Sequence, residues 1–369
     1  MSEAGRVANP SRLELARRRR GLSKTRVAKL VGVELRSISA FEKGEFSPSS
    51  ETLEELARHL RFPVDFFFGP DIEMPNTRVA SFRALSRMTA GERDAALGAG
   101  AIALLFSDWL DRKFDLPECD LPDLQGEEPE AAAEALRTRW KQGYRPIKNI
   151  VHFLEAHGVR VFSLAEDTRR VDAFSFWYAE RAFVFLNTAK SPERSRFDAA
   201  HELGHLVLHK HGGPHGISSG QGVEEQANAF ASALLMPASS IWATIRTTPT
   251  VNQLITYKKK WTVSVAALLY RLWKLKIVSD WQYRSMCIQI AEFRTREPEP
   301  ADREFSQVFR KVFDVLRRDG ISKHDVAAEL RIHPDQLEEA TFGMILANVP
   351  TSRGSESKPT SRPNLRLVK

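Results

Sequence analysis

Along most of the chain the apolar positions recur at helical spacing, and only one short stretch alternates as strands do. Between residues 9 and 69 the pattern predicts helices in quick succession. Ser11 can cap a first, which carries Leu13 and Ala16 and ends in Arg17-Arg18-Arg19-Arg20 before Gly21. Ser23 caps a second with Val27, Ala28, Leu30 and Val31, stopped by Gly32. The turn Gly32-Val33-Glu34 leads to a third with Ile38, Phe41 and Glu42, closed by Gly44. Ser47-Pro48-Ser49 opens a fourth with Leu53, Leu56, Ala57 and Leu60, and residues 62–68 read as a short fifth that plugs the core.

The next segment is helical over Ala95–Trp109, an acidic Pro-containing loop over Glu118–Glu130, and helical again over Ala131–Trp140. Then the character changes. Ile147–Ala156 is a helix, Val159–Phe162 a strand, and Ala173–Trp177 and Ala182–Leu186 a strand pair around a turn at Glu180. Ser191-Pro192-Glu193 opens a long helix through Phe197, Ala200, Leu203, Leu206 and Leu208. A loop rich in glycine and histidine follows, then a helix from Glu224 to Leu235, stopped before Pro237. Residues 241–349 read as helical throughout. Within them Gly320-Ile321-Ser322-Lys323-His324-Asp325-Val326-Ala327 echoes Gly21-Leu22-Ser23-Lys24-Thr25-Arg26-Val27-Ala28. A degenerate copy of the first unit and chance similarity between capped helices both account for it. The tail from Pro350 is basic and Ser/Pro-rich without apolar periodicity, and is expected to be disordered. The division expected is 1–70, a connector 71–145, a third domain 146–290, a helical region 291–349 and a tail 350–369.

Composition narrows the compartment and the partner. No run of about 18 apolar residues is present, so no membrane span is expected. The first twenty residues lack the apolar core of a secretory signal. Two cysteines, Cys119 and Cys287, exclude a disulfide framework and a cysteine-based zinc site, and a reducing cytoplasm is the expected location. The net charge of +7 favours an anionic partner. Basic residues outnumber acidic ones in the first unit, as a nucleic-acid-binding face requires; a basic protein-interaction module is the alternative.

The sharpest chemical feature is His201-Glu202-Leu203-Gly204-His205. Residues four apart share a helix face, so His201 and His205 can point ring nitrogens at one metal ion. Glu202 is then placed to act as general base on water activated there. A catalytic zinc needs a third protein ligand and one open position. Glu224 is assigned as that ligand, with Glu225 the runner-up about 100° around the helix. Asn228, one turn from Glu224, is expected to bond the other ring nitrogen of a ligand histidine. His209 lies about 12 Å of helix rise beyond His201, too far to share the ion, and is expected to be a pocket-wall or structural residue. His211, His215 and Tyr178 are secondary candidates for stabilising an oxyanion. The strand 182–186 could pair as a sheet edge with an extended peptide.

Residues 194–209 and 224–237, with Val171–Ser175 and Phe185–Asn187, closely resemble the ImmA/IrrE family of metallopeptidases over about residues 145–290. The resemblance implies a gluzincin-like α+β domain, Zn2+ on His201, His205 and Glu224, catalysis by Glu202, and a repressor protein as substrate. Manganese and iron are also compatible with such donors. Residues 9–69 resemble the XRE (Cro/CI-like) helix-turn-helix family, through Leu22-Ser23, Val27-Ala28, Gly32-Val33, Ile38-Ser39, Phe41–Gly44 and Pro48-Ser49. That implies a third helix in the major groove of a double-stranded DNA operator, exposing Glu34, Leu35, Arg36, Ser37 and Ala40. Arg36 and Ser37 are the base-edge candidates; Lys24, Lys43 and Arg17–Arg20 are the phosphate contacts. One such unit binds weakly, so a homodimer is expected.

The overall expectation is a mostly α, α+β chain: a five-helix DNA-binding domain, a metallopeptidase domain and a helical C-terminal region. The function expected is a transcriptional regulator with zinc-dependent endopeptidase activity. Self-cleavage within Leu116–Gly143 is a further option. The alternatives are a non-enzymatic transcription factor with a structural or sensory metal site, closed by His209, His211 or His215, and an antitoxin-like partner of a toxin.

Overall fold

The computed structural model describes residues 6–75, 89–164, 173–209 and 221–343. These form two units, one of 6–75, 89–117 and 307–343, the other of 118–164, 173–209 and 221–306. The architecture is mostly helical with one small sheet.

In the first unit α1 (Pro10–Arg19), α2 (Lys24–Val31), α3 (Leu35–Lys43) and α4 (Ser50–Leu60) are followed by a 3-10 turn, Val64–Phe68. Asn9, not Ser11, caps α1: its side chain accepts from the Ser11 N–H, and Pro10 takes the first helical position, where no N–H is needed. Ser23 and Ser49 cap α2 and α4 as their side chains predict. Gly32 and Gly44 end α2 and α3 in the left-handed region that favours glycine. Leu13, Val27, Ile38, Phe41, Leu56, Leu60, Phe66 and Phe67 are buried together in this core. Each of the larger ones contributes about 1.5–3 kcal/mol through the apolar surface it removes from water.

The stretch 71–145, read from sequence as one connector, is divided between the units. Its helix α5 (Ala90–Lys113) belongs to the first and packs on α1. Gly98 permits this: a Cβ there would stand 2.7 Å from the Arg19 Cα. Helix α6 (Pro129–Arg139) belongs to the second unit. The segment 118–124 is tied to the second unit, where the Asp120 N–H bonds the His157 carbonyl and the Leu124 N–H bonds the Val207 carbonyl.

The first unit also holds α14 (Gln307–Arg318), α15 (Lys323–Leu330) and α16 (Pro334–Ala340), the intervening helices belonging to the second unit. They repeat the frame of α1–α3 at an offset of 299 residues, most closely in the middle helix. Gly21 and Gly320 are both left-handed, as are Gly44 and Gly343. Ser23 and Ser322 both cap the next helix, and Val27-Ala28 and Val326-Ala327 are both buried. Of the two sequence readings of this echo, shared caps, turns and buried pairs favour a second copy of the motif. In α16 Asp335 stands where α3 has Arg36, and Gln336 is buried with its amide N–H donating to the Arg61 carbonyl.

The second unit places α7 (Ile150–Ala156) before a three-stranded sheet of β1 (Arg160–Leu164), β2 (Ala173–Tyr178) and β3 (Arg181–Asn187) in the order β1-β3-β2. β3 pairs parallel with β1 and antiparallel with β2, so it is the central strand. The expectation of an edge at 182–186 is corrected, since β3 lies between β1 and β2. Helix α8 (Pro192–Leu208) lies across β2 and β3, and α9 (Gln221–Leu235) packs along α8. Helices α10 (Ala238–Thr244), α11 (Val251–Trp261), α12 (Val265–Lys274) and α13 (Asp280–Gln289) complete the unit. Buried Arg196 pairs with Glu304, whose carboxylate also accepts from the Ile150 N–H, tying the N-terminal end of α7 to α8. No described helix is long and apolar enough to cross a membrane.

Candidate functional site

Ser191 caps α8 and Pro192 opens it, starting the helix so that His201 and His205 fall one turn apart on the same side. Helix α9 reaches this side because Gly204 carries no side chain. A Cβ on Gly204 would meet Phe230 Cδ1 at 3.0 Å and the Ala227 Cα at 3.3 Å. Glu224, one turn before Ala227, is thereby carried to the histidines.

Ligand atoms of His201, His205 and Glu224 lie within 4.8 Å of one another. The two Nε2 atoms are 3.0 Å apart. Glu224 Oε2 lies 3.5 Å from His201 Nε2, and Oε1 3.5 Å from His205 Nε2. Glu225 lies outside this cluster and is exposed. Asn228 Oδ1 is 3.0 Å from His201 Nδ1. On the other side His205 Nδ1 faces His209 Nδ1 at 3.2 Å, and His209 Nε2 faces Gln226 Oε1 at 2.8 Å.

These contacts test whether the residues suit a metal ion. With the amide oxygens of Asn228 and Gln226 accepting, His201 donates from Nδ1, and His209 donates from Nε2 and accepts at Nδ1 from His205. Both Nε2 lone pairs then point into the same small space, beside a carboxylate. Such lone pairs repel unless a cation lies between them, so the donor set fits a metal. The electrostatics agree for Glu224 and His205. Burial would raise the pKa of Glu224, yet His201 and then His205 hold it well below the usual carboxylate range. Burial pushes His205 down to about 4, which keeps its ring neutral and able to ligate. His201 is raised: burial opposes this, but Glu224, Glu202 and Asp198 outweigh it.

Glu202 is buried, and the Ser175 hydroxyl on β2 donates to its Oε2 at 2.6 Å. Trp177, two residues on, donates its indole N–H to the Leu206 carbonyl, so β2 grips α8 on both sides of His205. Tyr178 sits at the end of β2 with the Arg181 guanidinium over its ring. His211 and His215 lie outside the described residues. Sequence reasoning missed Ser175 and Gln226, and gave His209 only a general structural role.

In the first unit, Arg36 is exposed and pairs with exposed Glu34 at 2.6 Å, and Ser37 beside it is half-buried. Lys43 is exposed, 3.5 Å from Glu45. Lys24 pairs with the buried Glu42 carboxylate at 3.1 Å. Two expectations are corrected. Ala40 is buried, because it faces the core one turn before Gly44. The run Arg17–Arg20 is not a phosphate-binding cluster: its guanidiniums close the fold. Arg17 makes two bonds to Glu42, Arg18 pairs with Asp94, Arg19 with Glu339, and Arg20 donates to the Leu60 and Arg61 carbonyls.

Comparison with known proteins agrees with both units. Residues 13–67 match the model of the helix-turn-helix domain, and residues 154–273 match that of the IrrE N-terminal-like domain, peptidase family M78. The radiation response metalloprotease IrrE of Deinococcus radiodurans is 34% identical over 102 residues, covering 25% of this chain and 31% of that protein. The chain thus spans about a third of the length of the relative it matches.

Proposed function

For a chain that joins a helix-turn-helix DNA-binding domain to an IrrE/ImmA-like metallopeptidase domain, we propose a transcriptional regulator with zinc-dependent endopeptidase activity. We assign a repressor protein as its substrate. The observation that carries the enzymatic part is the convergence of His201, His205 and Glu224 beside a buried carboxylate, Glu202. The repressor assignment rests on the resemblance of residues 145–290 to the ImmA/IrrE family.

His201, His205 and Glu224 would hold the ion. Zinc bound there supplies Lewis acidity toward a peptide carbonyl and toward water. Glu202 takes the proton released when water attacks the carbonyl carbon, and passes it to the leaving amine as the C–N bond breaks. Ser175 holds the Glu202 carboxylate in one orientation while the proton moves.

The reading of a closed, non-enzymatic metal site needs a fourth protein ligand. His209 is unsuited to that, because its two ring nitrogens already face His205 and Gln226. On the DNA side, the exposed start of α3 with Arg36 enters the major groove, and a homodimer reads a two-fold operator. The test is to incubate the zinc-loaded full chain with helix-turn-helix repressors and identify fragments by mass spectrometry. Chelator-sensitive cleavage at a defined bond is expected. Zinc binding with no cleavage of any such repressor would overturn the substrate assignment.

A further inference from the structure

We propose that Gln226 and His209 form a positioning relay that fixes the tautomer and orientation of His205 for metal binding; this rests on the metal reading above. Gln226 and Asn228 stand on either side of Ala227, the residue of α9 that meets Gly204. Each amide serves a different histidine. Asn228 reaches His201 directly, at 3.0 Å. His205 is served at one remove, through His209.

His209 is built for this place. It follows the last residue of α8 as its C-cap, with φ −128° and ψ 64°, and its backbone N–H still bonds the His205 carbonyl. The side chain therefore turns off the helix at the point where the next turn would carry it away, and is buried against His205. A neutral imidazole in that position could hold its proton on either nitrogen. Acceptance by Gln226 Oε1 selects Nε2–H, which leaves Nδ1 to accept from His205 Nδ1–H. The lone pair of His205 is then on Nε2, 3.0 Å from His201 Nε2 and facing Glu224. Were the relay reversed, His205 would present an N–H to the ion and could not ligate. Outer partners of metal-bound histidines commonly change affinity by about 10–100-fold.

The test measures zinc affinity of the full chain by competition with a chromophoric chelator, together with the visible spectrum of the cobalt(II) form. Gln226 is exposed, so Gln226→Leu leaves the fold intact, checked by circular dichroism. Gln226→Leu and His209→Phe are expected to weaken zinc about 10–100-fold and to alter the cobalt spectrum. Gln226→Glu, whose carboxylate also accepts from Nε2–H, is expected to keep wild-type affinity or exceed it. His209→Asn, whose amide oxygen can accept from His205, is expected to recover part of the loss in His209→Phe. Equal affinity in all variants, or equal losses in Gln226→Leu and Gln226→Glu, overturns the relay while the metal site stands. A wild-type chain that binds no zinc overturns the metal reading itself.

Discussion

Gly204 on α8 and Ala227 on α9 meet backbone to backbone, a Cβ on Gly204 falling 3.3 Å from the Ala227 Cα and 3.4 Å from its carbonyl oxygen. The grouping of His201, His205 and Glu224 depends on this contact, because it sets the distance from Glu224 to the two histidines. Gly204→Leu is therefore expected to push α9 outward. Overpacking of this kind costs about 1–3 kcal/mol. Urea unfolding should show that loss, and metal analysis should show reduced zinc in chain that remains folded. Full zinc retention in Gly204→Leu would mean that Glu224 is not needed to hold the ion.

The Ser175 hydroxyl donates to the Glu202 carboxylate and lies near its backbone carbonyl. Ser175→Ala should leave zinc content unchanged and lower kcat, with KM little affected. A hydrogen bond to a charged group is worth about 1.5–3 kcal/mol, so a loss of about tenfold or more is expected. Steady-state cleavage kinetics with zinc analysis separate the two effects.

Arg17 and Arg36 should behave in opposite ways although both are arginines of the DNA-binding unit. Arg17 and Glu42 are nearly buried and bonded twice. Arg17→Ala leaves a buried carboxylate without its main partner, a change that typically costs about 3–5 kcal/mol of stability. Arg36 is exposed, and Arg36→Ala should leave stability unchanged while weakening specific operator binding by about 1–3 kcal/mol. Thermal melts and DNA titrations at fixed salt distinguish the pair.

His157 stacks face to face on Trp140, ring centroids 3.9 Å apart, and burial lowers its pKa despite nearby Asp120. In the unfolded chain the ring takes up a proton at higher pH than in the folded one. Stability is thus full above the ordinary histidine range near 6.5 and falls as pH drops through that value toward the folded pKa. Urea unfolding at pH 8 and pH 5.5 should show this slope, and His157→Phe should flatten it. Identical slopes for both chains would assign the pH dependence to other groups.

Much of the site was legible because its information is local. The spacing of His201 and His205 within one helix, and of Glu224 and Asn228 within another, follows from 3.6 residues per turn. Ser175 was not legible, since its bond to Glu202 joins a strand to a helix across the fold. The His209–Gln226 contact was hidden likewise, across the loop between two helices. The run Arg17–Arg20 looked like a solvated basic face because sequence does not reveal burial. Its partners Asp94 and Glu339 come from helices distant in sequence that fold onto α1. The strand order was equally out of reach: parallel pairing of β1 with β3 depends on a crossover that the strand pattern does not encode.

Glu202→Gln removes the proposed base while leaving the residues that would hold the metal in place. Zinc content and repressor cleavage should be measured on the same preparations of wild type and variant. About one zinc per chain is expected in both, and cleavage by the wild type alone. Cleavage surviving in the variant at the wild-type rate would contradict the role of Glu202 as base.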